Sequence, residues 1–168
     1  RLHRLHRLHR CRRLHRLHRR HRHFADTSQT IRRHFADTSQ TIPTNFAHTA
    51  EPIWHQSENY IDLIETLVDW SRELLRGDPN KLIALVCRYP KQAMEIKEER
   101  EAYLPGEVRL GHRDQFSFEP GILVTNIHQV KGLEFDSVAL VEPDEENYPT
   151  KREESRNMIY VGITRTQD

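Results

Sequence analysis

Two runs of polar residues have types and spacings that could do chemistry. The first lies within Ile122-Leu-Val-Thr-Asn-Ile-His-Gln-Val-Lys-Gly-Leu-Glu-Phe-Asp-Ser-Val138. Thr125, His128 and Lys131 should emerge together beyond an apolar strand, where a ligand-facing loop belongs, and Gly132 lets the backbone turn or approach something closely. Glu134 and Asp136 then lead into the next apolar run. The second run is Arg156-Asn-Met-Ile-Tyr-Val-Gly-Ile-Thr-Arg165. On a helix, Arg156, Tyr160 and Thr164 share one face at i, i+4 and i+8, and Arg165 follows at the helix end. A ligand loop and a guanidinium at a helix end are the functional reading. Ordinary turn residues and a solvated terminal Arg are the structural one, and spacing alone leaves both open.

The elements that would position these residues occupy one of three unlike pieces. Residues 1–23 hold ten Arg and seven His and no acid, built on Arg-Leu-His triplets, while the other 145 residues carry 16 Lys and Arg against 25 Asp and Glu. Leucines at period three fit neither a helix nor a strand, and ten guanidiniums repel one another, so this tract reads as disordered. It could serve as a basic arm on phosphates, as a His/Cys metal tract, or be an expanded repeat without function. Residues 24–57 include a literal duplication, in which His23–Ile31 recurs unchanged as His34–Ile42. Two short copies are too few for a solenoid.

Residues 58–168 read as globular. Ile61, Ile64, Leu67, Val68, Leu74 and Leu75 mark an amphipathic helix stopping at Gly77, a natural C-cap. Leu82–Cys87, Ile122–Thr125 and Val138–Val141 read as strands, Lys91–Leu104 as a polar-faced helix and Glu153–Thr164 as a closing helix. Strands alternating with helices predict an α/β fold with a mostly parallel sheet, whose ligands bind at the carboxyl ends of the strands. Two cysteines exclude a disulfide framework, and no apolar run approaches the roughly 18 residues that span a bilayer. No secretory signal opens the chain, so a cytoplasmic location and no membrane partner are expected.

The segment around Thr125, His128, Lys131, Gly132, Leu133, Glu134, Phe135 and Asp136 resembles motif V of the UvrD/Rep superfamily 1 DNA helicases. Arg156–Arg165 resembles motif VI of the same family, with its Tyr-Val-x-x-Thr-Arg core. The resemblance implies a RecA-like second motor domain, truncated here and flanked by helices. It implies that Thr125 and His128 lie toward single-stranded DNA. It further implies that Glu134 reaches the ribose of ATP, with Tyr160 on the nucleotide side, and that Arg165 acts as an arginine finger. Such a finger offsets charge developing on the transferred phosphoryl group and is worth about 10³–10⁵ in rate. Ala36–Ile42 resembles motif III, which would make Gln40 a γ-phosphate sensor. Thr44-Asn45-Phe46 resembles the start of motif IV, but Ala47 stands where a second phosphate-contacting Arg is expected.

The chain contains no Gly-x-x-x-x-Gly-Lys-Ser/Thr phosphate loop. Gly106-Glu-Val-Arg-Leu-Gly111 has the glycine spacing but neither the Lys nor the hydroxyl, and Glu142-Pro143-Asp144-Glu145 reads as a solvated acidic loop rather than a magnesium-binding strand end. The resemblance therefore implies ATP with Mg²⁺ shared with a separate or missing N-terminal motor half, and a chain inactive alone. Two alternatives compete: a non-enzymatic nucleic-acid-binding protein using the basic arm, and a degenerate gene remnant. Arg88 reads as structural.

Overall fold

The computed structural model describes residues 53–101, 103–104, 106–112 and 116–166. The Arg-Leu-His tract, the duplication, Gln40 and Ala47 lie outside them.

Helix α1, Tyr60–Gly77, begins where the side chain of Asn59 accepts from the backbone N–H groups of Ile61 (3.0 Å) and Asp62 (3.1 Å). Capping two of the otherwise unpaired amides of the first turn defines that start. Its apolar stripe buries Ile64, Leu67 and Val68, whereas Ile61, read as part of the stripe, is exposed. Gly77 is the last helical residue rather than the cap. Asp78 takes that position in extended conformation and donates its N–H to Leu74 O at 2.9 Å.

Strand β1, Leu82–Cys87, is buried at every position, as a near-continuous apolar run covered on both faces must be. Helix α2, Pro90–Glu101, is mostly polar; Ala93 and Ile96 face the core, while Met94 is exposed. Arg100 is also fully buried there with none of its guanidinium nitrogens hydrogen-bonded, and burial together with neighbouring Arg72 lowers its pKa to about 10. Strand β2, Val108–Leu110, adds a strand to the three that the apolar runs predict. It occupies the stretch whose glycine spacing mimics a phosphate loop. Gly106–Gly111 thus brackets an edge strand, not a strand-to-helix turn. Strands β3, Gly121–Asn126, and β4, Ser137–Leu140, follow, and helix α3, Glu153–Ile163, comes last among these elements.

The four strands form one sheet in the order β2-β3-β1-β4 with every pair parallel. Alternation along β1 divides the core. Ile83, Leu85 and Cys87 pack with Ile64, Leu67, Val68, Ala93 and Ile96 of α1 and α2, together with Ile122 and Val124 of β3. Ala84 and Val86 face the other way, joining Leu123, Ile127, Val130 and Phe135, against which Met158 and Val161 of α3 pack. Gly162 explains how closely α3 sits. A Cβ there would lie 3.1 Å from Ile127 Cδ1 and 3.2 Å from Leu140 Cδ1, tighter than ordinary contact. The α/β architecture with a parallel sheet is therefore observed.

Candidate functional site

The sequence-predicted residues lie in two places. One is the carboxyl end of the sheet, where β1 and β3 run out into loops. Ile127 N–H donates to Cys87 O at 2.8 Å, extending the β1–β3 ladder by one rung, and Gln129 N–H donates to Asn126 O at 2.9 Å to close a turn. Asn126 Oδ1 accepts from His128 N at 3.2 Å. This turn presents His128 and Lys131 at the surface.

Thr125 does not emerge with them. It is a β3 residue, fully buried, and its hydroxyl donates to Gly111 O at 2.8 Å. A buried hydroxyl must be hydrogen-bonded, and this bond joins the end of β3 to the residue following β2. The expectation that Thr125, His128 and Lys131 surface together is corrected accordingly: the strand runs two residues further than its apolar run, to Asn126, and takes the Thr inside.

The sheet instead brings Arg88 to His128. Arg88 follows β1, and its Nη1 lies 3.2 Å from His128 Nε2 while its Nε donates to Asn147 O at 3.2 Å. The guanidinium carbon stands 5.1 Å from the Tyr89 ring centroid and 5.6 Å from that of buried Tyr148, within cation–π range. Arg88 N–H donates to Gln92 Oε1 at 2.8 Å, and Gln92 Nε2 in turn donates to a Glu142 carboxylate oxygen. Asn147 also anchors its own loop through Glu142 O and Asp144 Oδ1.

The acidic loop after β4 is therefore a scaffold rather than a solvated connection. Burial raises the Asp144 pKa, opposed by hydrogen bonds from Asn147. Arg88, Gln92, Asn147 and Tyr148 were not among the predicted site residues. Only Arg88 carried a sequence signal, as a charged residue directly at the end of a buried strand. Beside this cluster a shallow cleft of about 480 Å³ lies between the His128–Lys131 turn and α3, with Ile127, Met158 and Val161 among its apolar lining.

The second place is the amino end of β4. Phe135 forms a parallel bridge with Thr166, and its N–H donates to Arg165 O at 2.8 Å. Glu134 and Arg165, far apart in sequence, thereby flank one backbone contact. Gly132, at φ +81°, supplies the left-handed turn that delivers the chain to it. Asp136 is structural: its Oδ2 accepts from Leu82 N at 2.6 Å at the start of β1.

Glu134 is exposed. The Arg165 guanidinium folds back on the helix end, where Nε donates to Val161 O at 3.2 Å and Nη2 to Thr164 Oγ1 at 3.3 Å. A cation there is favoured by the helix dipole. Arg156 and Tyr160 lie on the exposed face of α3, opposite buried Ser155, Ile159 and Gly162. Among the described residues no group of His, Cys, Asp and Glu could hold a metal ion, and no helix is long and apolar enough to cross a membrane.

The comparisons with known proteins agree with this fold. The crystal structure of the C-terminal domain of a possible DNA helicase from Lactobacillus plantarum WCFS1 is similar, with a TM-score of 0.55 and 23% identity, over 66% of this chain and 65% of that one. That likeness is one of fold, and the chain spans less than two thirds of its relative. No curated protein matches the chain. The family described as the UvrD-like helicase C-terminal domain matches residues 12–168, starting inside the Arg-Leu-His tract and upstream of the boundary read at 58. With nearly its whole length matched, this chain belongs to the UvrD-like helicase C-terminal domain family.

Proposed function

We propose that this helicase C-terminal domain is one half of an ATP-driven single-stranded DNA motor, with a nucleotide corner at the amino end of β4 and a DNA side at the carboxyl ends of β1 and β3. The observation that carries the reading is the Phe135–Thr166 bridge, which joins the backbone that follows Glu134 to the backbone that follows Arg165. A carboxylate and a guanidinium at one surface corner suit a ribose hydroxyl and a phosphate respectively, so these residues fit a nucleotide. Glu134, Tyr160 and Arg165 would hold it; Gln40, also expected there, lies outside the described residues. ATP with Mg²⁺ supplies the phosphoryl transfer whose energy moves the strand. Arg165 would release Val161 O and Thr164 Oγ1 to reach a phosphate, its backbone staying latched to Phe135.

The phosphate cradle comes from outside these 168 residues, because the chain has no P-loop. Alone it neither hydrolyses ATP nor unwinds DNA. At the other end His128 meets single-stranded DNA, and Thr125 contributes by holding the strand end from which the His128 turn springs. The setting that suits such a motor is the cytoplasm.

Binding of fluorescent oligothymidylate to the full chain, followed by anisotropy, tests the DNA side. His128→Ala weakens binding several-fold, and deletion of residues 1–23 leaves a residual affinity. Equal binding by wild type and His128→Ala overturns this reading. The second reading, a basic arm, draws on the ten Arg and absence of acid in residues 1–23. It requires that all binding vanish with that deletion and fall steeply with salt.

A further inference from the structure

Arg88 is held from three directions before it touches His128. Its Nε donates to Asn147 O at 3.2 Å, and the rings of Tyr89 and Tyr148 lie 5.1 and 5.6 Å from its guanidinium carbon. Tyr148 is fully buried, so this part of the cradle is rigid packing rather than surface contact. Asn147 is fixed in turn by Asp144, whose Oδ1 accepts from Asn147 N at 2.8 Å and from Asn147 Nδ2 at 3.0 Å. The guanidinium so placed presents Nη1 to His128 Nε2 at 3.2 Å.

A guanidinium is a donor only and does not lose its proton in proteins. A hydrogen bond between these two atoms therefore requires Nε2 to be the acceptor. A neutral imidazole whose Nε2 accepts carries its proton on Nδ1. A doubly protonated ring would turn an N–H toward the Arg88 cation and break the contact.

We propose that Arg88 is a positioning residue that fixes His128 as the neutral Nδ1–H tautomer, so that the ring offers a single, pre-aimed donor to its ligand. Asn126 completes the arrangement by holding the backbone of the same residue through Oδ1. Nδ1 has no hydrogen-bond partner among the described residues, so that donor is available. It suits an anionic oxygen such as a phosphate of a nucleic-acid backbone, and it rejects cations. The tautomer follows from the Arg88–His128 geometry alone; the identity of the ligand rests on the DNA side proposed above.

The experiment is long-range ¹H–¹⁵N spectroscopy of the imidazole rings in the ¹⁵N-labelled full chain at about pH 8, above the ordinary imidazole range. His128 is identified by the signals lost in His128→Gln. The wild-type ring is expected to show a protonated Nδ1 and a bare Nε2. In Arg88→Met the pattern moves toward Nε2–H, and affinity for oligothymidylate falls several-fold. A wild-type His128 protonated on Nε2 overturns the proposal even if Arg88→Met fails to fold. So does a folded Arg88→Met whose His128 signals match the wild type. If the wild-type chain binds no oligothymidylate, the DNA side is refuted, while the spectrum still decides the role of Arg88.

Discussion

The two ends of the sheet hold their candidate residues in different ways. At the carboxyl end, Arg88, His128 and Asn147 come from three loops and Asn126 from the end of β3, and they are joined mainly through side chains. At the amino end of β4, Glu134 and Arg165 are brought together by the backbone, through the Phe135 N–H and the Thr166 bridge. Side-chain networks can be retuned by single substitutions without moving the chain. A backbone latch keeps its residues in place whatever their side chains, so removing a side chain there should abolish chemistry and spare structure.

The largest expected effect breaks the nucleotide corner alone. With the chain joined to a P-loop-bearing first motor domain, Arg165→Ala should lower DNA-stimulated ATP hydrolysis by about 10³-fold or more. Oligothymidylate affinity should stay within about twofold on the same argument that the two ends are separate. A parallel loss of both would mean that they are not independent.

Asp136→Ala tests a different tie at the same end, a side chain that holds the start of β1 and lies outside the latch. It strips a carboxylate acceptor from Leu82 N at 2.6 Å and should cost about 2–3 kcal/mol in urea unfolding, as expected for a hydrogen bond to a charged group. At the opposite end, Thr125→Val keeps the shape but leaves Gly111 O without its 2.8 Å partner. About 1 kcal/mol of stability should be lost, with DNA affinity falling only slightly as the strand end under the His128 turn loosens. An affinity loss without a stability loss would give Thr125 a direct ligand role.

The smallest effect is a pH dependence confined to the carboxyl end. Burial raises the Asp144 pKa in the fold above its unfolded value. Between those two values the native state keeps a proton that the unfolded state has released, so stability falls as pH rises through that window. Asp144→Asn should flatten this slope in thermal melts at pH values just above the ordinary Asp range. An unchanged slope would show that another group sets it.

Much of the frame could be read from residues. The unbroken apolar runs at Leu82–Cys87 and Ile122–Val124 demanded strands covered on both faces, and both are buried as read. Glu153–Ile163 begins at the predicted residue, with the acids that favour a helix start. Val108–Leu110 is not legible as a strand, because three residues with a central Arg carry too little pattern to mark one. Thr125 was misplaced because a polar side chain after an apolar run looks like a strand end. Only the arrival of Gly111 O beside it makes burial tolerable.

The sequence by itself determined which segments must be buried and in what order the motif-like residues occur, since side-chain polarity and period act locally along the chain. Tertiary structure alone decided that Arg88 meets His128 and that Phe135 bridges Thr166. Those meetings depend on the strand order β2-β3-β1-β4, which seats β1 between two strands that follow it much later. Strand order is set by how the two faces of one sheet share their covering helices, a balance struck over the whole core and written in no single stretch of residues.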